Sequence, residues 1–132
     1  MAERDYSHRT LIDKLNIKEG ARVLLLGVDD AELLAAIQAR TADYSVRGRK
    51  KNCDVILFAA DTVADLRKVE SLRELLAPAG GLWIIYPKGR KDITEKHVRE
   101  AGLATGMVDN KIIGFSATRT GLRFVIRKKD RE

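Results

Sequence analysis

Ala21-Arg22-Val23-Leu24-Leu25-Leu26-Gly27-Val28-Asp29-Asp30, with the apolar-rich run from Ala31 to Ala39 behind it, decides how this chain is read. The unbroken apolar stretch Val23 to Leu26 suits a strand covered on both faces, as in a parallel sheet. Gly27 supplies a turn. Asp29 or Asp30 can cap the helix that follows, and Glu32 lies in its first turn, where negative charge is favoured. Leu33, Leu34 and Ile37, with Ala36, form the inward stripe. Strand, glycine turn and helix in that order open an α/β fold.

Downstream the pattern repeats. Asp54 to Ala60 is a second buried strand. Asp61 or Thr62 caps the next helix, with Asp65 in its first turn. Val63, Leu66, Val69, Leu72, Leu75 and Leu76 keep helical spacing until Pro78-Ala79-Gly80-Gly81 stops them. Leu82-Trp83-Ile84-Ile85-Tyr86 is a third buried strand, with Trp83 in the core, and Pro87-Lys88-Gly89-Arg90 ends it. Asp92-Ile93-Thr94-Glu95 has capping-box spacing, and the helix behind it runs through His97 and Val98 to Gly102. The character then changes. Ala104 to Phe115 and Gly121 to Lys128 are strand-like and joined by Ser116-Ala117-Thr118-Arg119-Thr120, a length that suits a hairpin. Asp109-Asn110-Lys111 interrupts the first of them, as a bulge does.

Upstream, residues 1–9 are polar and read as frayed, Thr10 to Ile17 as a short helix, and Gly20 as its end. The stretch from Thr41 to Asn52 is ambiguous. Tyr44-Ser45-Val46-Arg47 can form a short strand, but parallel neighbours need a crossover of about a dozen residues. The gap to Asp54 is too short for a helical one. The segment is therefore an edge strand of irregular direction or an extended connection.

The chain has 132 residues, 45% hydrophobic and 33% charged, which suits one globular domain over 1–132, with flexible ends at 1–9 and 128–132. No apolar run approaches the ~20 residues of a membrane helix. No apolar signal segment follows the charged start. Cys53 is the one cysteine, so no internal disulfide can form. These features point to a reducing cytoplasm. A net charge of +6 favours anionic partners only mildly.

Parallel β-α units closed by an antiparallel hairpin resemble the layout of class I methyltransferases, which bind S-adenosylmethionine. Leu24-Leu25-Leu26-Gly27 is similar to the end of that family's first strand, and Leu75-Leu76-Ala77-Pro78-Ala79-Gly80-Gly81-Leu82 to the approach to a later one. The chain as a whole resembles a family of small bacterial proteins of unknown function with a reduced methyltransferase-like fold. The stretches that carry this are Leu11-Ile12-Asp13-Lys14-Leu15, Trp83 to Lys88, Asp92 to Glu95, Val108 to Lys111 and Gly121 to Val125. The resemblance implies a Rossmann-like, mostly parallel sheet with a C-terminal hairpin and helices on both faces. It carries no activity with it. The methyltransferase loop after the first strand is G-x-G-x-G, where this chain has Gly27, Asp29 and Ala31. An acid about 20 residues on would hold the ribose, and here that region is Tyr44-Ser45-Val46-Arg47-Gly48-Arg49.

Ligands of open α/β sheets bind beyond the carboxyl ends of the strands. Gly27, Asp29, Asp61 and Lys88 are therefore the candidate pocket, although each aspartate is as readily a helix cap. Arg47, Arg49, Lys50 and Lys51 form the densest basic run. A solvated connector shielding a sheet edge is the plainer reading, and a phosphate- or nucleic-acid-binding patch the alternative. Cys53 borders that run, which can lower a thiol pKa, but an unreactive thiol is expected. No metal-ligand spacing, P-loop or catalytic triad is present. The function expected is that of a non-catalytic methyltransferase-like module, sensing a ligand or binding a protein, with no cofactor. The rivals are a methyltransferase using S-adenosylmethionine in an atypical site and a nucleic-acid-binding module. Exposed sheet edges make a homo-oligomer a further expectation.

Overall fold

The structure, a computed structural model, describes residues 7–131. Among these, six strands form one sheet: β1 (Val23–Leu26), β2 (Tyr44–Ser45), β3 (Cys53–Ala59), β4 (Leu76–Pro87), β5 (Met107–Gly114) and β6 (Arg119–Ile126), in the order β2-β1-β3-β4-β6-β5. The first four are parallel. β6 runs antiparallel to β4, and β5 antiparallel to β6. Helices α1 (Ser7–Lys14) and α2 (Ala31–Arg40) contribute Leu11, Ile12, Leu33 and Ile37 to one core cluster, against Val23, Leu25, Leu57 and Trp83. The other cluster joins Leu24, Ile56, Phe58 and Phe124 to a 3-10 helix (Val63–Lys68), to α3 (Val69–Arg73) running on from it, and to α4 (Glu95–Leu103). Neighbouring strand residues face opposite ways, so a strand apolar throughout feeds both cores. No described helix is long and apolar enough to cross a membrane.

The structure decides the ambiguous segment. β2 is a two-residue edge strand, parallel to β1, with Tyr44 beside Val23 and Ser45 beside Leu24. Its crossover from β1 is α2. Residues 46–52 then return to β3 on the other side of β1 without a helix. That short return suffices because a two-residue strand climbs only about 7 Å at ~3.3 Å per residue.

Other boundaries moved for local reasons. α1 runs from Ser7 to Lys14 and is closed at Asn16 rather than Gly20. Asn16 takes φ +62, and the N–H groups of Asn16 and Ile17 donate to the carbonyls of Asp13 and Ile12, a Schellman closure. Of the frayed start expected over residues 1–9, residues 7–9 instead open α1, and residues 1–6 lie outside the described residues, as does Glu132. Residues 128–130 form a 3-10 turn, and Arg131 Nε donates to the Ile126 carbonyl at 2.9 Å. The Pro78–Gly81 segment does not end a helix but lies within β4, bulged so that Cys53 meets Leu76 while Val55 meets Gly81. Gly80 allows this, because a Cβ there would stand 2.5 Å from the Cys53 carbonyl oxygen. The expected bulge in β5 is present between Asp109 and Lys111.

The caps also sharpen. Thr62, not Asp61, caps the helix after β3, in a reciprocal box with Asp65. Asp65 accepts from the N–H groups of Asp61 and Thr62, and these bonds hold its carboxyl below the usual range. Thr94, not Asp92, caps α4 and pairs with His97 rather than an acid. Asp92 is instead paired with Arg90 at 2.5 Å.

Candidate functional site at the strand ends

The carboxyl ends of β1, β3 and β4 lie at one edge of the sheet. The β5–β6 turn arrives at the same edge, because β6 runs down beside β4 from Arg119 opposite Pro87. Between them is a cavity of about 280 Å³ lined by Gly27, Val28, Asp29 and Asp30 after β1, by Ala59 and Ile85, and by Phe115, Ser116, Thr118 and Arg119 from the turn. Gly27 has φ +76, the left-handed turn that sends the chain from β1 towards α2.

The four sequence-derived candidates are only partly brought together. Gly27 and Asp29 line the cavity. Asp30 makes the α2 cap, accepting from Leu33 N–H at 3.0 Å. That leaves Asp29 exposed at the rim, its carboxylate without a hydrogen bond or ion pair among the described residues. Asp61 Oδ1 accepts from Arg119 Nη2 at 2.5 Å, so it touches the cavity through a lining residue. Lys88 is not among the lining residues. Its backbone N–H donates to the Thr118 carbonyl, and its Nζ stands 3.9 Å from where a Cβ of Gly114 would be. The cation lining the cavity is therefore Arg119, whose Nη1 also reaches the Ile85 carbonyl at 3.5 Å.

Sequence reasoning took Ser116 to Thr120 as a connector and so missed Arg119. The available signal was topological. A hairpin strand antiparallel to β4 must turn at the edge where the parallel strands end, which places the polar residues of its turn at the ligand edge.

The basic run is elsewhere, in the return loop to β3. Arg47, Arg49 and Lys51 are exposed, whereas Lys50 is half-buried with Nζ 3.1 Å from Asp43 Oδ1. Asp43 also receives Arg22 Nε at 2.9 Å, and these two cations hold its carboxyl below the usual range. Cys53 is fully buried, and its Sγ donates to the Lys50 carbonyl at 3.0 Å. Burial outweighs the nearby Arg22 and Lys50 and pushes the thiol up to about 11. Iodoacetamide at about pH 8 is accordingly expected to leave native protein unmodified and to label it fully in denaturant. The raised folded value also means that the stability from the neutral buried thiol is present below the unfolded thiol's ~8.5 and is lost as pH rises through about 11.

Solved structures share this arrangement of strands and helices. A methyltransferase dependent on S-adenosylmethionine from Aquifex aeolicus matches with a TM-score of 0.70 at 14% identity, over 91% of this chain and 89% of that one. A putative type 11 methyltransferase from Sulfolobus solfataricus matches with 0.68 at 13% identity, over 100% and 97%. The fold is that of the class I methyltransferases. An S-adenosylmethionine-dependent O-methyltransferase from Thermotoga maritima gives 0.69 at 10% identity, over 100% of this chain and 68% of that one. No family model matches the chain, and no curated protein matches it by sequence. At these identities the likeness is one of fold. In this methyltransferase-like fold the cavity sits beside the bend after β1, bounded on its far side by the hairpin turn.

Proposed function

We propose that this chain is a non-catalytic methyltransferase-like domain, a module that senses a small ligand or engages a protein. One observation carries the reading. β2 stops at Ser45, level with Leu24, so the strand that would present an acid to a ribose ends well short of the Gly27 bend. Three residues of β1 separate the two levels, about 10 Å at ~3.3 Å per residue. The chain then continues as Val46-Arg47-Gly48-Arg49, which holds no carboxylate.

Two further features argue against S-adenosylmethionine as the ligand. Asp29 sets a negative charge, unpaired among the described residues, at the second position of the glycine loop. The cavity, about 280 Å³, falls just under the ~300–1,000 Å³ of sites for drug-sized ligands. A smaller zwitterion suits the walls better. Its ammonium would meet Asp29, and its anionic end would share Arg119 with Asp61, with Ser116 and Thr118 also lining the cavity.

Calorimetric titration with S-adenosylmethionine tests the reading. No saturable heat is expected at ligand concentrations up to about 1 mM, which bounds the binding free energy at roughly −4 kcal/mol or weaker. Micromolar binding that Asp29→Gly leaves unchanged or tightens would overturn it in favour of a methyltransferase with an atypical cofactor site.

A further inference from the structure

Two basic segments of this protein meet at one end of the sheet, opposite the cavity. The return loop 46–52 leads into the start of β3, and the tail 127–131 leaves the end of β6. Because β6 runs antiparallel to β4, both segments emerge at the same sheet end. β3, β4 and β6 are consecutive neighbours, so the two segments leave the sheet two strand spacings apart, about 10 Å. Arg47, Arg49 and Lys51 in the loop and Arg127, Lys128 and Lys129 in the tail are all exposed. None of the six makes an ion pair among the described residues, whereas the half-buried Lys50 and Arg22 are both paired with Asp43. Glu19, Asp54, Glu74 and Asp130 stand against them at this end. At the opposite end Asp29, Asp30, Asp61, Asp65 and Asp92 stand beside Lys88, Arg90, Lys91 and Arg119, of which Arg90 and Arg119 are paired with Asp92 and Asp61.

The loop is held in place rather than trailing. Arg22 Nη1 donates to the Lys51 carbonyl at 2.9 Å, and the Cys53 thiol donates to the Lys50 carbonyl. The tail is tied back by Arg131 to the Ile126 carbonyl. Sequence alone separates these two basic segments by about 75 residues, and only the sheet order joins them. Their long, unpaired cations on a fixed base are what a row of phosphates requires.

We infer that this end of the sheet is a binding surface for the phosphate backbone of a duplex nucleic acid, read without regard to base sequence. A duplex carries one negative charge per ~1.7 Å of its axis, so a band of this width meets several phosphates at once. Single strands are disfavoured because the surface lacks stacking platforms. The loop's one aromatic neighbour, Tyr44, is half-buried, and its hydroxyl accepts from Gln38 Nε2 at 2.8 Å. The inference does not rest on the reading of the cavity.

Fluorescence anisotropy with a labelled random-sequence duplex over a salt series tests it. With six phosphate contacts, log Kobs against log[salt] is expected to slope at about −5, a loss of about 10³-fold between roughly 50 and 200 mM salt. Converting either Arg47, Arg49 and Lys51 or Arg127, Lys128 and Lys129 to glutamine should reduce the slope by about 3. All six side chains are exposed, and an unchanged circular-dichroism melt would show that each variant is folded. Absence of binding at about 50 mM salt overturns the inference. So does a tail variant with an unaltered slope, which would confine binding to the loop. A polyglutamate of equal charge that binds as tightly as the duplex overturns it in favour of an acidic protein partner.

Discussion

Trp83→Ala should lower the stability of the protein by about 3–5 kcal/mol, the largest loss expected from one side chain. Trp83 has no solvent exposure and lies in the core cluster under α1 and α2, beside Leu57 across the ladder. Removing it leaves a cavity that neighbours locked into strands cannot close. Packing is only part of the role. Trp83 Nε1 donates to the Leu15 carbonyl at 3.0 Å, within buried surroundings. Leu15 follows the last turn of α1, so the indole ties the N-terminal helix to the centre of the sheet. Trp83→Phe separates the two contributions. It retains most of the apolar volume and leaves the Leu15 carbonyl without that donor, at a cost of about 1–3 kcal/mol. Urea unfolding followed by far-UV circular dichroism gives both values, since the protein has one tryptophan and loses its fluorescence probe in either variant. A Trp83→Phe variant as stable as the parent would show that the hydrogen bond contributes nothing.

The second large effect is expected at Gly102, in the last turn of α4. The helix passes so close to β6 that a Cβ at this position would overlap the Phe124 ring, itself fully buried. Gly102→Ala must push the helix outward or drive the ring off its rotamer, at about 1–3 kcal/mol. This occurs although alanine is the better helix former by roughly 1 kcal/mol, so the sign of the change reports which effect wins. The displaced helix also carries Arg99, which bridges Glu95 at 2.6 Å and Asp109 on β5 at 3.1 Å. Phe124→Leu on the Gly102→Ala background should recover part of the loss, and a double-mutant cycle in urea measures the coupling. Additive losses would place the strain elsewhere.

Much of the fold was legible because it depends on local chemistry. Val23 to Leu26, Val55 to Phe58 and Leu82 to Tyr86 are short runs apolar at successive positions, as strands covered on both faces are. Gly27 marks the bend, and the Asp29–Asp30 and Asp61–Thr62 pairs mark helix starts to within one residue. The choice within each pair was not legible, because cap geometry depends on the path by which the chain leaves the strand. The Asp92 cap was misplaced by two residues for a different reason. Arg90 competes for that carboxylate, and His97 supplies the reciprocal bond to Thr94 that an acid was expected to make.

The candidate site divides in the same way. Gly27 and Asp29 reach the cavity because they follow directly from the β1 bend, a local feature. Lys88 and Arg119 exchange roles because the assignment depends on where an antiparallel strand returns, and no short window of sequence contains that. The same holds for the basic end of the sheet, where the loop and the tail become neighbours only through the order β3-β4-β6.

Residue pattern by itself determined the class of fold, its buried strands, the glycine bend and the absence of an acid after the second strand, since burial and turn geometry act over a few residues. Tertiary structure alone decided that β2 is two residues long and parallel, that Arg119 rather than Lys88 lines the cavity with Asp29, and that two distant basic segments share one sheet end. Those outcomes depend on sheet order, and sheet order follows from the packing of two whole layers of side chains rather than from any one segment.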